Sequence, residues 1–361
     1  MRTAIALAAL VATASAYVAG PRFGAPARAT AARSVVVKGS FFDNFGEGMK
    51  ERASAPAQMS PRGVVVTGGA GGVGYAYVEE FVRTGHMVVF CDINEELLTA
   101  AQATVEAKYP GARVYGTKCD VGSADDVAKL AAFAREKLGV VHYWVNNAGI
   151  NGGRKPFVDL TPQQIEAVVK VNMLGSLLCT SEALKLMKEQ RGVKSHIFNT
   201  VGSGVKGGGT PGYVTYGATK RGLPQFTQSL NMEMAPETKG QKDFVVPLAD
   251  DALVGVHTLS PGMVFTNLLL DDSTADLRKF FDVLASEPEE VAADLVPKIL
   301  GTSGTGSSVE YLTPDKVVTR LFSGFVLGMR GRNFDKETGE RIQRDGQKYM
   351  DNGVRVLAEK K

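Results

Sequence analysis

Short apolar runs alternate with amphipathic helical stretches along most of the chain. The apolar runs have the length and composition of buried strands, whereas the stretches between them repeat their apolar positions every three or four residues. Strands that alternate with helices predict an α/β fold with a doubly wound parallel sheet. The predicted strands cover residues 64–67, 87–91, 113–118, 142–146, 196–200 and 254–259, with a seventh at 309–312.

The N-terminal part of the chain does not follow this pattern. Residues 1–16 combine a positive start at Arg2, a short apolar core and small residues at the end, which is typical of a signal peptide. Residues 17–42 are rich in alanine and contain several basic but no acidic residues, as transit peptides do. Together they predict import into a plastid, with secretion or an endomembrane location as the alternative. The remaining organisation is a linker at residues 43–61, one folded domain at residues 62–330 and a C-terminal tail at residues 331–361.

Composition and charge narrow the class of protein. The chain has 361 residues, 44% of them hydrophobic and 22% charged, which is enough for a large core without disulfides or metals. Its net charge of +3 is small and its basic residues are dispersed, so we expect no nucleic-acid partner. Cys91, Cys119 and Cys179 stand far apart in apolar segments. We therefore expect reduced core cysteines and no metal site.

A glycine-rich segment directly follows the first predicted strand and opens a helix. The segment from Thr67 to Gly74 reads TGGAGGVG. Glycines at such a junction let the backbone approach a pyrophosphate, whose charge meets the helix N-terminus. A plain tight turn has the same composition, so it is the position between strand and helix that favours a dinucleotide site in a Rossmann fold. The residues assigned to this contact are Gly68, Gly72, Val73 and Gly74.

Acidic residues at the ends of the second and third strands extend the predicted cofactor site. Asp92 ends the second strand, where a carboxylate accepts hydrogen bonds from ribose hydroxyls and repels a 2′-phosphate. It predicts NAD, with NADP as the alternative cofactor. Capping the helix that begins near Asn94 is a second role open to Asp92. Asp120 and Val121 end the third strand, where the adenine ring is expected.

A tyrosine and a lysine four positions apart predict an acid–base pair. Tyr216 and Lys220 share one face of a predicted helix. A phenol has an ordinary pKa of about 10, so it needs a neighbouring cation to act near neutral pH. Ser203, at the end of the fifth strand, can donate to a carbonyl oxygen. Asn172 places an amide on an apolar helix face, where it needs partners.

In these motifs and their order the chain resembles the short-chain dehydrogenase/reductase family. The motifs are TGGAGGVG at residues 67–74 and NNAG at residues 146–149, followed by Asn172, Ser203, Tyr216 and Lys220. By that resemblance Tyr216 is the general acid, Ser203 orients the carbonyl, and Lys220 binds the nicotinamide ribose and lowers the pKa of the tyrosine. Asn172 holds a proton-relay water. The resemblance also assigns to the cofactor Asn147, Ala148, Gly149, Tyr216, Lys220 and, in the loop that receives the nicotinamide carboxamide, Pro261, Gly262, Val264 and Thr266.

Longer segments resemble the chlorophyll(ide) b reductases within that family. They are WVNNAGIN at 144–151, HIFN at 196–199, VHT at 256–258, SPGMV at 260–264 and YLTP at 311–314. This resemblance implies reduction of the C7 formyl group of chlorophyll(ide) b, or of a related plastid pigment carbonyl. The alternatives are a reductase or dehydrogenase of a carotenoid or lipid carbonyl, and a scaffold protein that senses NAD(P) without turnover.

Two apolar segments bear on the predicted partners. Residues 268–270 with 280–281 predict an apolar lid over a hydrophobic small-molecule substrate, and ordinary core packing is the alternative. Residues 321–327, flanked by arginines that include Arg320, predict peripheral contact with a thylakoid membrane, again with simple packing as the alternative. The family resemblance further implies a homo-oligomer.

Overall fold

One parallel sheet contains all the strands of the described residues. The computed structural model describes residues 60–202, 208–234, 244–271, 273–326, 333–335 and 340–342. The strands are β1 (Gly63–Thr67), β2 (Met87–Asp92), β3 (Val114–Lys118), β4 (Tyr143–Asn146), β5 (Lys194–Thr200), β6 (Leu253–Ser260) and β7 (Ser308–Glu310). Their order is β3-β2-β1-β4-β5-β6-β7, and each neighbouring pair is parallel. The predicted doubly wound α/β fold is confirmed.

Helices connect the strands and cover both faces of the sheet. They are α1 (Gly72–Arg83), α2 (Glu95–Lys108), α3 (Ala124–Leu138), α4 (Pro162–Val169), α5 (Gly175–Met187), α6 (Val214–Glu233), α7 (Asn267–Leu270), α8 (Ala275–Leu284), α9 (Pro288–Leu300) and α10 (Pro314–Leu321). The predicted signal peptide, the transit-like segment and nearly all of the linker lie outside the described residues.

The sheet is buried on both faces because side chains alternate along each strand. Val64 and Val66 of β1 belong to one apolar cluster, with α1, α2 and α9, whereas Val65 belongs to the other, with α3, α5 and α6. Parallel strands that are covered on both faces have continuous apolar sequences, which explains why the apolar runs predicted them. The three cysteines are free and buried in the second cluster, as expected.

The connections change direction along the sheet between β1 and β4. From β1 the chain proceeds to β2 and β3, then returns to β4 and continues to β7 on the other side. At such a switch point the loops after neighbouring strands diverge and leave a crevice at the carboxyl edge of the sheet. At its base the two loops are in contact, since a Cβ on Gly68 would lie 2.9 Å from the Cα of Ala148.

A continuous helical stretch runs from Pro162 to Met187. It consists of α4, a π-helical turn at Lys170–Leu174 and α5. By length and composition it is the one helix among the described residues that could cross a membrane, and 39% of its apolar window is buried inside the fold. The stretch packs against α3 and α6 in the layer that covers one face of the sheet.

A third, smaller apolar cluster lies beyond β6. It joins the loop after β6 to α7, α8 and the C-terminal segment, and its members include Leu270, Phe281 and Phe334. Leu270 and Phe281 are therefore core residues, which agrees with the packing interpretation of the predicted lid. Residues 333–335 and 340–342, which belong to the predicted tail, pack onto this cluster.

The segment predicted to touch a membrane begins at α10. Phe322 of this segment is exposed, and so is Val318, which precedes the segment in α10. The side chain of Arg320, however, is only 18% exposed and donates a hydrogen bond to the carbonyl oxygen of Leu284. Arg320 therefore supports packing rather than a basic surface, and the other two arginines that flank the segment, Arg330 and Arg332, lie outside the described residues.

Candidate active site

The glycine segment after β1 forms a tight turn that leads into α1. Gly68 and Gly72 have φ values of +63° and +51°, in a backbone region that glycine adopts readily. A Cβ on Gly74 would lie 2.1 Å from the carbonyl oxygen of Gly68, so the close approach of the two chain segments requires glycine. Val73 is half-buried and packs against the first apolar cluster. The turn is thus fixed by its own backbone.

The N-terminus of α1 is suited to an anion. Its N-cap is Gly71, which has no side chain to accept from the first helical amides, and its first turn contains no acidic residue. The first backbone amides of a helix lack partners within the helix, and the helix dipole favours negative charge beside them. A Cβ on Gly71 would meet no atom within 4 Å, so there is space beside the turn. The residues present fit the pyrophosphate of a dinucleotide.

Asp92 ends β2 next to this turn. Its carboxylate accepts hydrogen bonds from the backbone amides of Ala70 at 3.3 Å and Asn94 at 3.1 Å. The side chain of Asn94 accepts from the amide of Leu97 at 3.0 Å and is the N-cap of α2. The hypothesis that Asp92 caps this helix was therefore wrong. Asp92 remains half-buried at the carboxyl edge of the sheet.

Asp120 and Val121 follow β3. Nζ of Lys170 donates to the Asp120 carboxylate at 2.8 Å, and the amide of Gly122 donates to it at 2.9 Å. The hydrogen bond from Lys170 holds the pKa of Asp120 below its ordinary value. Val121 is buried against Gly175, on which a Cβ would lie 2.8 Å from the valine methyl. Both residues tie this edge of the sheet to the long helical stretch.

Tyr216 and Lys220 lie in the first two turns of α6, beside the end of β5. Lys220 is only 4% exposed, and its Nζ donates to the carbonyl oxygen of Thr200 at 2.9 Å. Burial lowers the pKa of Lys220 to about 8, so the amine is mostly charged at neutral pH. The hydroxyl of Tyr216 lies against Gly202, where a Cβ would be 2.7 Å from it. Ser203, the next residue, lies outside the described residues.

Asn172 is fully buried in the π-helical turn. Its Oδ1 accepts from the amide of Ile150 at 2.9 Å, and its Nδ2 donates to the Ile150 carbonyl at 2.8 Å and to Oγ1 of Thr219 at 3.3 Å. A Cβ on Gly149 would lie 3.2 Å from Oδ1 of Asn172 and 3.4 Å from Nζ of Lys220. The amide and the ammonium therefore meet at the loop after β4. The predicted contact of Asn172 with a relay water stays a prediction.

The loop after β4 is fastened to the glycine segment. The backbone amides of Asn147 and Ala148 donate to Oγ1 of Thr67 at 3.0 and 3.1 Å. Nδ2 of Asn147 donates to the carbonyl oxygens of Thr67 and Gly68 at 3.1 and 3.3 Å. These bonds place the NNAG motif beside the turn that fits the pyrophosphate.

The loop at residues 261–266 faces the glycine turn across the crevice. Gly262 has a φ of +72°, and the other three predicted cofactor contacts of this loop are buried. A Cβ on Gly72 would lie 3.1 Å from the methyl carbon of Thr266. The structure therefore brings the described members of the predicted site to one crevice at the carboxyl edge of the sheet.

A buried polar network beneath the site was not predicted from the sequence. Nδ2 of Asn146 donates to Oγ1 of Thr180 at 2.8 Å and to Oδ1 of Asn199 at 2.9 Å. Nδ2 of Asn199 donates to Oγ1 of Thr227 at 3.2 Å. The network joins β4 and β5 to α5 and α6, and so holds the helix of the acid–base pair against the sheet. The available signal was an asparagine directly after an apolar pair near the end of each strand, in WVN of β4 and IFN of β5.

Comparison with known sequences was made for the whole chain. A family model described as short chain dehydrogenase matches residues 62–274. The chain is 39% identical over 295 residues to the probable chlorophyll(ide) b reductase NYC1, chloroplastic, of Oryza sativa subsp. japonica, an alignment that covers 78% of this chain and 55% of that protein. It is 38% identical over 284 residues to the chlorophyll(ide) b reductase NOL, chloroplastic, of Arabidopsis thaliana, which covers 77% of each chain. The chain thus spans little more than half the length of the rice relative.

Comparison with solved structures gives the same fold. A short-chain dehydrogenase/reductase from Brucella melitensis, described as a glucose/ribitol dehydrogenase, superposes with a TM-score of 0.54 at 26% sequence identity. The superposition covers 71% of this chain and 99% of the bacterial one. Nearly all of the bacterial chain is therefore matched, and part of this chain lies outside the superposition.

Proposed function

This chain belongs to the short-chain dehydrogenase family, and on that premise we propose that it is a nicotinamide-dependent reductase of a carbonyl group on a plastid pigment. The observation that supports this most strongly is the convergence of Asn172 and Lys220 on Gly149, with Tyr216 on the same helix as the lysine. A buried ammonium one helical turn from a half-buried phenol suits proton transfer to a carbonyl oxygen. The glycine turn next to it fits a dinucleotide.

A bound nicotinamide would supply the hydride to the carbonyl carbon, and the chain would supply the proton and the orientation. The glycine turn and the α1 N-terminus would hold the pyrophosphate. Residues 147–149 and 261–266 would line the nicotinamide end, with Lys220 on the ribose. Asp120 and Val121 would face the adenine. Asp92 would accept from the ribose hydroxyls and disfavour a 2′-phosphate, so we propose NAD over NADP.

Tyr216 would donate its phenolic proton to the developing alkoxide oxygen. A cation about 4 Å away, at an effective dielectric constant near 20, favours a phenolate by roughly 4 kcal/mol, part of which desolvation offsets. Lys220 can supply that cation because its pKa of about 8 leaves it charged at neutral pH. Ser203, which follows Gly202 at the phenol, would orient the carbonyl oxygen by donating a hydrogen bond to it.

The pigment substrate is proposed from the relatives. Two proteins named as chlorophyll(ide) b reductases are 38% and 39% identical to this chain over about three quarters of its length. We therefore propose the C7 formyl group of chlorophyll(ide) b as the group reduced. Leu269 and Leu277, which are only partly buried at the edge of the third apolar cluster, would provide apolar contacts for such a macrocycle. Both relatives are named chloroplastic, which supports the plastid location that the N-terminal pattern predicts.

A Tyr216→Phe variant tests the proposed chemistry. With chlorophyllide b and NADH or NADPH, we expect turnover to fall by about 10² to 10⁴, the usual contribution of a general acid. The Kd for NADH should change less than about twofold, because the ring is retained and only the hydroxyl is lost. Tyr109→Phe is the matched control. Tyr109 is the C-cap of α2, and its hydroxyl donates to the carboxylate of Glu79 in α1, away from the proposed site.

The substrate panel separates the alternatives. Turnover of xanthophyll ketones without turnover of chlorophyllide b would replace the pigment proposal by a carotenoid substrate. Tight cofactor binding without oxidation of NADH or NADPH across aldehydes and ketones would support a sensing scaffold. Full activity of Tyr216→Phe would remove the acid role from Tyr216.

A further inference from the structure

The nicotinamide loop at residues 261–266 is held by a short segment that follows α8. The amide of Phe265 donates to the carbonyl of Ser286 at 2.9 Å, and the amide of Ser286 donates to the carbonyl of Met263 at 3.1 Å. Val264 and Ser286 form an isolated parallel bridge. The position of the loop therefore depends on the position of Ser286.

Arg320 of α10 fastens this segment from one side. Its guanidinium donates to the carbonyl of Leu284 at 2.8 Å, to Oγ of Ser286 at 2.9 Å and to the hydroxyl of Tyr311 at 2.8 Å. Glu290 balances the charge, at 3.3 Å from the guanidinium and 2.7 Å from the Tyr311 hydroxyl. These partners lie at the end of α8, in the segment after it, in α9 and directly after β7, so Arg320 connects four parts of the chain around one serine.

The same network also reaches the start of the nicotinamide loop. The amide of Tyr311 donates to the carbonyl of Ser260, the last residue of β6, at 2.9 Å. The hydroxyls of Tyr311 and Ser286 are 2.8 Å apart. Tyr311 thus contacts the chain just before the loop with its backbone and the bridge partner of the loop with its side chain.

Arg341 fastens the next residue from the other side. One of its guanidinium nitrogens donates to both carboxylate oxygens of Glu287, at 2.7 and 2.9 Å, and its side chain is only 4% exposed. The guanidinium lies 5.7 Å from the ring centre of Phe265, and the ring of Phe334 meets the ring of Phe265 edge-on at 5.4 Å. Phe334 and Arg341 form an isolated antiparallel bridge. Their two side chains therefore contact Phe265 of the loop from the same place.

We propose that Arg320 and Arg341 are positioning residues for the nicotinamide loop. By clamping the consecutive residues Ser286 and Glu287, they hold residues 263–265 at the crevice. This inference rests on the proposed function, since it assumes that the loop receives a cofactor. Both arginines lie beyond residue 274, where the match to the family ends, so the positioning contacts come from outside the part that the family model describes.

The effect of removing one clamp follows from burial. Without Arg341, the Glu287 carboxylate, whose side chain is already 38% exposed, loses its partner and moves toward water, which loosens the bridge between Ser286 and Val264. A loose loop must be ordered when the cofactor binds, and ordering costs affinity. Misplacement of the nicotinamide end also lowers the rate of transfer. A contact that merely stabilised the fold would leave cofactor affinity unchanged in the folded protein.

The test uses the full chain with the variants Arg341→Met, Arg320→Met and Glu287→Gln. NADH affinity is measured by titration without carbonyl substrate, well below the unfolding temperature of each variant. For Arg341→Met we expect a Kd for NADH about tenfold higher and a matching rise in the KM for NADH, with a smaller change in the KM for the carbonyl substrate. Glu287→Gln should weaken binding in the same direction, and it keeps the shape of the side chain if the arginine variants do not fold. In the double variant of Arg341 and Glu287, the rise in the Kd for NADH should be smaller than the product of the two single effects, because each single substitution already breaks the same ion pair.

Arg83→Met is the matched control. That arginine also makes two hydrogen bonds to one glutamate, Glu80, but within α1. It should leave the Kd for NADH within about twofold of the unsubstituted chain. Variants at Arg320, Arg341 and Glu287 that unfold at lower temperature yet bind NADH like Arg83→Met would overturn the positioning role while the proposed function stands. An unsubstituted chain that binds neither NADH nor NADPH would overturn both.

Discussion

The two walls of the cofactor crevice are held in place by different interactions. The glycine turn at residues 67–74 is fixed by close backbone contacts within itself and by hydrogen bonds between Thr67 and Asn147 of the loop after β4. The loop at residues 261–266 is fixed through Ser286 by side chains that follow much later in the chain, Arg320 and Arg341 among them. The position of the first wall therefore depends on close packing between neighbouring backbone segments, and the position of the second depends on charged side chains far along the chain.

The difference predicts different sensitivities. Where two backbone segments approach to contact distance, one added methyl group has no place to go, because protein interiors are close-packed. Where charged side chains hold a loop, changes of charge or pH matter more than changes of volume. The helix α6 belongs with the second wall, since the role proposed for Lys220 depends on its charge. Three experiments probe this contrast.

A methyl group in the glycine turn should have the largest effect. In Gly74→Ala the new Cβ would start 2.1 Å from the Gly68 carbonyl oxygen and 2.5 Å from Nδ2 of Asn147. We expect the free energy of unfolding to fall by roughly 3 kcal/mol and NADH binding to be lost, because the turn must open to make room. Chemical denaturation and NADH titration measure the two effects.

Gly71→Ala is the control for that prediction. Gly71 has an extended backbone with a φ of −143°, and a Cβ there would meet no atom within 4 Å. Its free energy of unfolding should stay within about 0.5 kcal/mol of the unsubstituted chain. Equal losses in the two variants would mean that the turn is not held by close backbone contact.

Reversing the charge at Asp92 should have an intermediate effect. Asp92→Arg replaces a group that repels a 2′-phosphate by one that attracts it, so the ratio of kcat/KM for NADPH to that for NADH should rise about tenfold or more. Steady-state kinetics with both cofactors measures the ratio. Glu136→Arg makes the same change of net charge at an exposed position near the end of α3 and should leave the ratio unchanged. An unmoved ratio in Asp92→Arg would mean that another residue contacts the ribose.

The pH dependence of the reaction should show the smallest effect. Burial lowers the pKa of Lys220 from 10.5 to about 8, so the ammonium is present below that pH and is lost as the pH rises through it. Without the cation the pKa of Tyr216 rises, and we expect kcat for reduction to fall severalfold between about pH 7 and about pH 9. Over the same range NADH binding at the glycine turn should change much less. A kcat that stays flat to about pH 9.5 would show that the charge of Lys220 is not needed.

The strands, which were predicted correctly, and the site residues proposed from the sequence all have a local signature. The apolar runs identified the strands to within one or two residues at each end because both faces of a parallel sheet are buried. Tyr216 and Lys220 could be paired because four residues span about one helical turn. The glycine segment could be assigned because its close contacts lie within a few residues of the chain, as between Gly68 and Gly74.

The details that were missed depend on how the chain is folded. The choice between Asp92 and Asn94 as helix cap depends on backbone angles at one turn, and the composition allows both. The π-helical turn that points Asn172 at Ile150 departs from the regular helical period on which its placement was argued. Asn146 and Asn199 share a network only because β4 and β5 are neighbours in the sheet.

The sequence by itself determined the class of fold and the position of the glycine turn and was enough to propose the acid–base pair, because each arises from residues that are close along the chain. Only the tertiary structure decided what holds the nicotinamide loop. Ser286, Arg320 and Arg341 are separated by dozens of residues, and no periodicity or motif links them. Their contacts exist because α10 and the described residues 340–342 pack against the segment that follows α8, where both arginine side chains are largely buried.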